Sequence, residues 1–331
     1  MGIYDVGGRT NLTLSPGTGF LGLYATDGSW YYTPATASGF LGLYAPDGSI
    51  YVTDATGSTD LGLFASNGSL RVTTGSDNNG ALKVSGLYVD ASEAIFAEFT
   101  TPPSVTNKVN INRLVVTLQS ASIWDNLDLL YVLAAADSQA ALINWKNPGT
   151  KTLSAVNSPT FTAYAGYAGN GTTSRLNTAW TPSTEAVKYT LNNASVWVWS
   201  RTNSQAAVAD IGSVGAGTDT CQIRIRTAAN VALFGVNSAT SSVANTSSSG
   251  LFGSQRRASN DLRLFVNGVQ TAGVSLASGS LPSLAQWICG GDSTHFSARQ
   301  LSFAAWGASL SGTEASFYAA VSAYMQAVGA A

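Results

Sequence analysis

Charge is scarce in this chain. Of its 331 residues only 10% are Asp, Glu, Lys or Arg, and the formal net charge is −2. Soluble domains usually carry about a quarter charged residues. A sparse, nearly balanced set of charges has no field to draw in a polyanion, which argues against nucleic acid as a partner. Cysteine is scarce too. Cys221 and Cys289 are too few for a disulfide framework and have no metal-ligand neighbours, so they read as two buried thiols or a single bridge. No run of 18 apolar residues occurs, so no membrane-spanning helix is expected. The first residues lack the charged and apolar regions of a secretory leader. Histidine is limited to His295. No Gly-x-Ser-x-Gly elbow accompanies it, and Ser-His-Asp chemistry would need partners brought from afar. From residue 150 onward the acids are Glu185, Asp210, Asp219, Asp261, Asp292 and Glu314, with no obvious facing pair for glycoside hydrolysis. Gly212, Gly215 and Gly217 lack the following Lys and helix of a phosphate loop. The expectation is a protein that is not an enzyme and holds no metal or cofactor. A calcium ion would need several oxygen ligands, and only Asp210 and Asp219 offer themselves.

What the chain does have is a repeat. Phe20-Leu-Gly-Leu-Tyr-Ala-Thr-Asp-Gly-Ser returns as Phe40-Leu-Gly-Leu-Tyr-Ala-Pro-Asp-Gly-Ser and again as Asp60-Leu-Gly-Leu-Phe-Ala-Ser-Asn-Gly-Ser, with a period of 20 residues. A fixed period without gaps means an array of one small unit. Asp27-Gly28, Asp47-Gly48 and Asn67-Gly68 sit between short strand-like runs. Asx-Gly is the strongest two-residue hairpin signal, because a type I′ turn needs positive φ at both positions. Each copy therefore reads as a β-hairpin with one apolar and one Tyr/Ser-rich face. Lone hairpins are marginal in water. The apolar faces need cover from the next repeat, as in a single-chain solenoid, or from other chains, as in an intertwined stalk. A homotrimer is the expected assembly. Residues 80–90 read as a degenerate strand closing the array.

Residues 100–147 break the β pattern. Val109, Leu114, Val115 and Leu118 recur at helical spacing, as do Ile123, Leu127, Leu130 and Tyr131. Two helices joined near 120–122 are expected to form a collar. From about 150 short strands dominate, at 194–200, 221–226, 230–235, 262–266 and 301–306, and Asn267-Gly268 marks another I′ hairpin. Many short strands at this spacing indicate a β-sandwich or jelly roll. Ser311 and Glu314 suggest a capping box for a last helix striped by Phe317, Val321, Tyr324, Met325 and Val328. The expected organisation is mainly β: a hairpin-repeat attachment region at 1–90, a helical collar at 91–149 and a sandwich with a terminal helix at 150–331.

Leu262-Arg-Leu-Phe-Val-Asn-Gly-Val-Gln resembles a hairpin of concanavalin A-like and laminin-G-like lectin jelly rolls. Residues 127–145, 166–178 and 296–306, taken in order, resemble a family of tailed-phage and prophage structural proteins in which such a jelly roll follows a helical collar. The Gly-Leu-Tyr-Ala-x-Asp-Gly-Ser repeats are similar to N-terminal segments of those proteins. The resemblance implies a virion-surface protein of fibre, spike or decoration type. Its partners would be other virion proteins and host-surface polysaccharide, with no membrane insertion. Concanavalin A-like glucanases carry a Glu-x-Asp-x-x-Glu type motif, which this chain lacks. The alternatives are a carbohydrate-binding module, an inactive glycan hydrolase, or a capsid or neck component without a ligand. Lectins use loop aromatics to stack on sugars and Asx groups to hold hydroxyls. The candidates are Tyr164, Tyr167 and Asn170 in one loop and Asp292 and His295 in another. The alternative for the two tyrosines is packing inside the sandwich.

Overall fold

The computed structural model describes residues 88–331, together with the backbone of short strands at 21–24, 41–44 and 62–63. The chain divides into two compact units, 1–90 and 91–331.

In the first unit β1 (Leu21–Tyr24), β2 (Leu41–Tyr44) and β3 (Gly62–Leu63) form a parallel sheet in that order. Leu21 pairs with Leu41, Tyr24 with Tyr44, and Leu43 with Leu63. The sequence period is thus the strand register, each Leu-Gly-Leu lying beside its counterpart in the next copy. The turns Asp27-Gly28, Asp47-Gly48 and Asn67-Gly68, the second strands expected after them, and residues 80–87 lie outside the described residues.

The second unit begins with α1 (Asp90–Ala97) and α2 (Val105–Ser120). The serine hydroxyl of Ser104 accepts the N–H of Asn107 and caps α2. Then follow β4 (Leu127–Val132), β5 (Ser154–Val156), β6 (Thr160–Thr162), β7 (Gly166–Ala168), β8 (Arg175–Asn177) and the one-turn α3 (Pro182–Glu185). The longer strands are β9 (Ala194–Ser200), β10 (Ile211–Val214), β11 (Thr220–Arg224), β12 (Val231–Val236), β13 (Ser241–Ala244), β14 (Gly250–Ala258), β15 (Asp261–Val266) and β16 (Val269–Val274). The chain closes with β17 (Trp287–Ile288), β18 (Gln300–Gly307) and α4 (Glu314–Ala327).

These strands make two antiparallel sheets. The first has the order β13-β12-β11-β10-β17-β8-β5, and the second β16-β15-β14-β9-β18-β7-β6 with β4 also paired to β18. Their inner faces pack together as a sandwich. Leu176, Ile211, Ile223, Phe234 and Ile288 from the first meet Val196, Val198, Phe252, Leu264 and Trp306 from the second. Each fully buried Val, Ile, Leu or Phe contributes about 1.5–3 kcal/mol. Asn267 and Gly268 have φ of 51° and 77°, the I′ turn expected between β15 and β16.

The second sheet is buried on its outer face as well. Alternation puts Trp197 and Trp199 opposite Val196 and Val198. Trp197 lies over Gly253, where a Cβ would come within 2.1 Å of the indole. It packs on Phe265 and on Phe317 of α4, at 5.9 and 5.1 Å between ring centroids. Trp199 stacks on Tyr318 at 6.2 Å. Phe317, Val321, Tyr324 and Met325 are buried as the helical stripe required, while Val328 is only half-buried.

Two expectations are corrected. Residues 127–132, read as a second helix of the collar, form β4, so this part of 91–149 is built into the sandwich. Every residue of β4 is buried. Leu129 and Tyr131 join the inter-sheet core, while Leu130 and Val132 alternate to the opposite face. A strand buried on both faces shows a continuous apolar run, which period alone cannot tell from a helix. Ser311 does not cap α4: the N-cap is Thr313, and Glu314 is buried, accepting the N–H of Gly312 and bonds from Gln255 and Arg257. Cys221 and Cys289 are both free and buried.

Candidate functional site

The outer face of the first sheet carries a different set of side chains. Ile211, Ile223, Leu176 and Ile288 point into the core, so their strand neighbours point out. Register places Ser154, Asn177, Trp287, Gly212, Gln222 and Gly235 in one row across six strands. Arg175 and Arg224 stand on the same face, one pleat along β8 and β11. Trp287 is half-buried, and the Arg175 guanidinium sits 3.9 Å from its ring centroid. Phe296 stacks on the same indole, centroids 6.3 Å apart and planes 17° from parallel. Arg175 Nη1 donates to the Thr173 carbonyl at 3.4 Å. Arg224 Nε donates to the Gln222 amide oxygen at 2.9 Å.

Two loops border this face, and both were singled out by sequence. In the first, Asn170 Oδ1 accepts the N–H groups of Thr172, Thr173 and Ser174 at 2.8–2.9 Å. In the second, Asp292 Oδ1 accepts the N–H groups of Thr294 and His295, and His295 Nδ1 lies 2.9 Å from the carboxylate. Burial raises the Asp292 carboxyl, but the bonds from Thr294 and His295 outweigh this and leave it below the usual range. The loops abut. A Cβ at Gly169 would strike the Ser297 carbonyl at 2.1 Å, and one at Gly171 would touch Ala298. The loop of Asn170 and the loop of Asp292 and His295 therefore meet at Ser297 and Ala298.

The two tyrosine side chains engage other partners. Tyr167 lies on β7 with 3% exposure, packs on Phe161 and donates to the Ser138 carbonyl, and burial pushes its phenol up. Tyr164 is exposed, with φ of 55°, but it sits before β7 and its hydroxyl accepts from Asn107 on α2. Contrary to the expectation of one loop, strand β7 separates it from Asn170. Sequence reading missed Arg175, Trp287, Phe296 and Arg224 as a group. The available signal was Trp287 followed within ten residues by Phe296 across a Gly-Gly loop, opposite the Asn-Gly-Thr-Thr-Ser-Arg run.

The site rests on a buried ion pair. Asp210 and Arg299 are 0% and 1% exposed. Both carboxylate oxygens lie 2.8 Å from Arg299 Nη1. Asp210 also accepts Ser297 Oγ at 2.6 Å and the Ile225 N–H at 2.8 Å, and its carbonyl accepts the Cys289 N–H. The loop bearing Asp292 and His295 is thereby tied to β10. Asp219, in the turn between β10 and β11, binds Ser283 through its N–H and hydroxyl. The two acids considered for calcium are thus apart and occupied, and among the described residues no group of three acidic, His or Cys side chains is placed to hold a metal. Glu185 accepts from Lys151 and from the Thr181 N–H.

No protein-family model matches the chain, and no curated protein matches it. Solved structures do. The binding domain of botulinum neurotoxin serotype D is 14% identical with a TM-score of 0.43, covering 61% of this chain and 52% of the other. A Trypanosoma rangeli sialidase in complex with sialic acid is 10% identical with a TM-score of 0.44, covering 65% and 39%. Domain 4 of an extracellular arabinanase from Geobacillus stearothermophilus, in complex with arabinotriose, is 10% identical with a TM-score of 0.35, covering 58% and 98%. The chain spans about half or less of the toxin and sialidase chains it matches.

Proposed function

We propose that this chain is a non-enzymatic, glycan-contacting protein of a tailed-phage particle surface. Its repeats attach it to other virion proteins, its chains associate as a homotrimer, and a concanavalin A-like jelly roll meets host-surface polysaccharide. One observation carries the glycan reading: a half-exposed indole clamped by a guanidinium, in a row of amides and glycines, flanked by two hydrogen-bonded polar loops. Aromatic and Arg planes with nearby amides and hydroxyls suit a ligand that is apolar on its ring faces and polar at its rim. The α4 helix packs on the other sheet and α2 on α4, so neither covers Trp287 and Arg175, which favours this face for contact. Glu185 and Asp292, engaged by Lys151 and His295, favour binding without hydrolysis.

The test titrates full-length protein and Trp287→Ala against a panel of neutral and carboxyl-bearing polysaccharides, with a reducing-end assay alongside. The expected result is saturable binding to at least one polymer, weakened tenfold or more by the substitution, with no reducing ends released. Absence of binding across the panel would sink the glycan reading. Sustained release of reducing ends that Asp292→Ala or Glu185→Ala abolishes would overturn the non-enzymatic one. Light scattering tests assembly, and the mass of a single chain at micromolar concentration would refute the trimer.

A further inference from the structure

We infer that the sugar this face selects is a carboxylated one, an acidic residue of a polysaccharide, held by Arg175 with Arg224 as the second cation. The inference rests on the glycan reading above. Four other arginines of this sandwich show what a structural guanidinium looks like here, while Arg201 and Arg226 bond to neutral acceptors. Arg257, Arg263 and Arg299 pair with Glu314, Asp261 and Asp210, and Arg256 is enclosed by the carbonyls of Val236, Ala258, Ser259 and Leu276. Arg175 and Arg224 have no ion-pair partner among the described residues.

Arg175 is nevertheless held in place. Its guanidinium rests on Trp287, one Nη1 bond reaches Thr173, and its Nε is buried with no acceptor among the described residues. A cation fixed on a rigid ring, with one Nη1 bond made and its Nε unanswered, is prepared for a planar acceptor. Carboxylate matches that fork with two parallel hydrogen bonds. Arg224 lies on the same face, near enough to Asp292 to feel its charge, and partial burial lowers its pKa, so an anion beside it would relieve a desolvated cation. The chain as a whole is slightly negative, so this attraction is local rather than a general affinity for polyanions.

The experiment measures binding of full-length protein to polygalacturonate, alginate and polysialic acid, each before and after carboxyl reduction, with neutral dextran and dextran sulfate as controls. Wild type is compared with Arg175→Gln, Arg175→Lys and Arg224→Gln, each checked by its melting curve. The expected result is binding to at least one carboxylated polymer that falls at least tenfold on carboxyl reduction. Arg175→Gln should lower it at least tenfold, Arg175→Lys should fail to restore it, and Arg224→Gln should lower it less. Equal binding before and after reduction, or binding confined to neutral polymers, would overturn the carboxylate assignment and leave the glycan reading standing. A preference for dextran sulfate would overturn it in favour of unspecific charge attraction. Loss on carboxyl reduction that Arg175→Gln does not reproduce would overturn the role of Arg175. No binding to any polymer would remove both readings together.

Discussion

Arg299→Met tests whether the candidate site is held by the buried pair beneath it. The substitution leaves the Asp210 carboxylate, itself 0% exposed, with only the Ser297 hydroxyl and the Ile225 N–H. It also takes one of two donors from the carbonyls of Ser204 and Arg226, which accept from Arg299 Nη2 at 2.8 and 2.7 Å and keep the Ser248 hydroxyl and the Ala206 N–H. Breaking a buried pair by removing one partner costs about 3–5 kcal/mol. For a unit the size of residues 91–331 each kcal/mol shifts the melting temperature by about 2–4 °C. The expected drop is therefore roughly 6–20 °C in a calorimetric or circular dichroism melt. The pair is then separated from mere packing by a double-mutant cycle with Asp210→Leu. The double variant should be more stable than the sum of the two single losses implies, by about 0.5–3 kcal/mol, because no uncompensated charge is left. A drop under about 2 °C, or strict additivity, would refute the reasoning. Since Ser297 and Cys289 both bind Asp210, amide exchange in 289–298 should quicken in the single variant.

Gly253→Ala should destabilise by about 1–3 kcal/mol or more, because its Cβ would fall 2.1 Å from the Trp197 indole, whereas Gly273→Ala, facing a movable Gln270 side chain, should be near neutral in the same melt. A fragment of residues 91–331 should fold cooperatively, and one starting at 150 should aggregate, because it loses β4, the partner of β18, along with Leu129 and Tyr131 of the core; size exclusion distinguishes them. Cys221 and Cys289, whose thiols burial pushes up to about 12, should resist alkylation at neutral pH in the native protein and react fully in denaturant, as mass spectrometry would show. Asp292 sits below the ordinary carboxylate pKa of about 4, so its loop contacts are in full effect above that value and are lost as pH falls through the lower native value. Asp292→Ala should abolish that acid-side change in loop amide exchange.

The second strands of the repeats fall outside the described residues, but the 20-residue period itself reappears as parallel register, because identical segments stack most simply on one another. Where one strand face packed and the next did not, or where a turn demanded positive φ, local sequence was a sufficient guide. Asp261–Val266 and the Asn267-Gly268 turn are of this kind. Composition likewise kept nucleic acid and a membrane-spanning helix out of consideration, and among the described residues no helix is long and apolar enough to cross a membrane.

Tertiary structure decided what depends on partners distant in sequence. β4 is a strand only because β18, 171 to 180 residues later along the register, offers it a ladder and both its faces find apolar cover. Tyr167 is core because β7 lies against β18, while Asn170, three residues on, is surface. Arg175, Trp287 and Phe296 become a cluster only when β8 and β17 pair and the 289–298 loop folds back over them. Local propensity and period are written in consecutive residues and could be read from them. The site is made by cross-strand register, a property of which strands meet, and that was settled only by burying both sheets around one core.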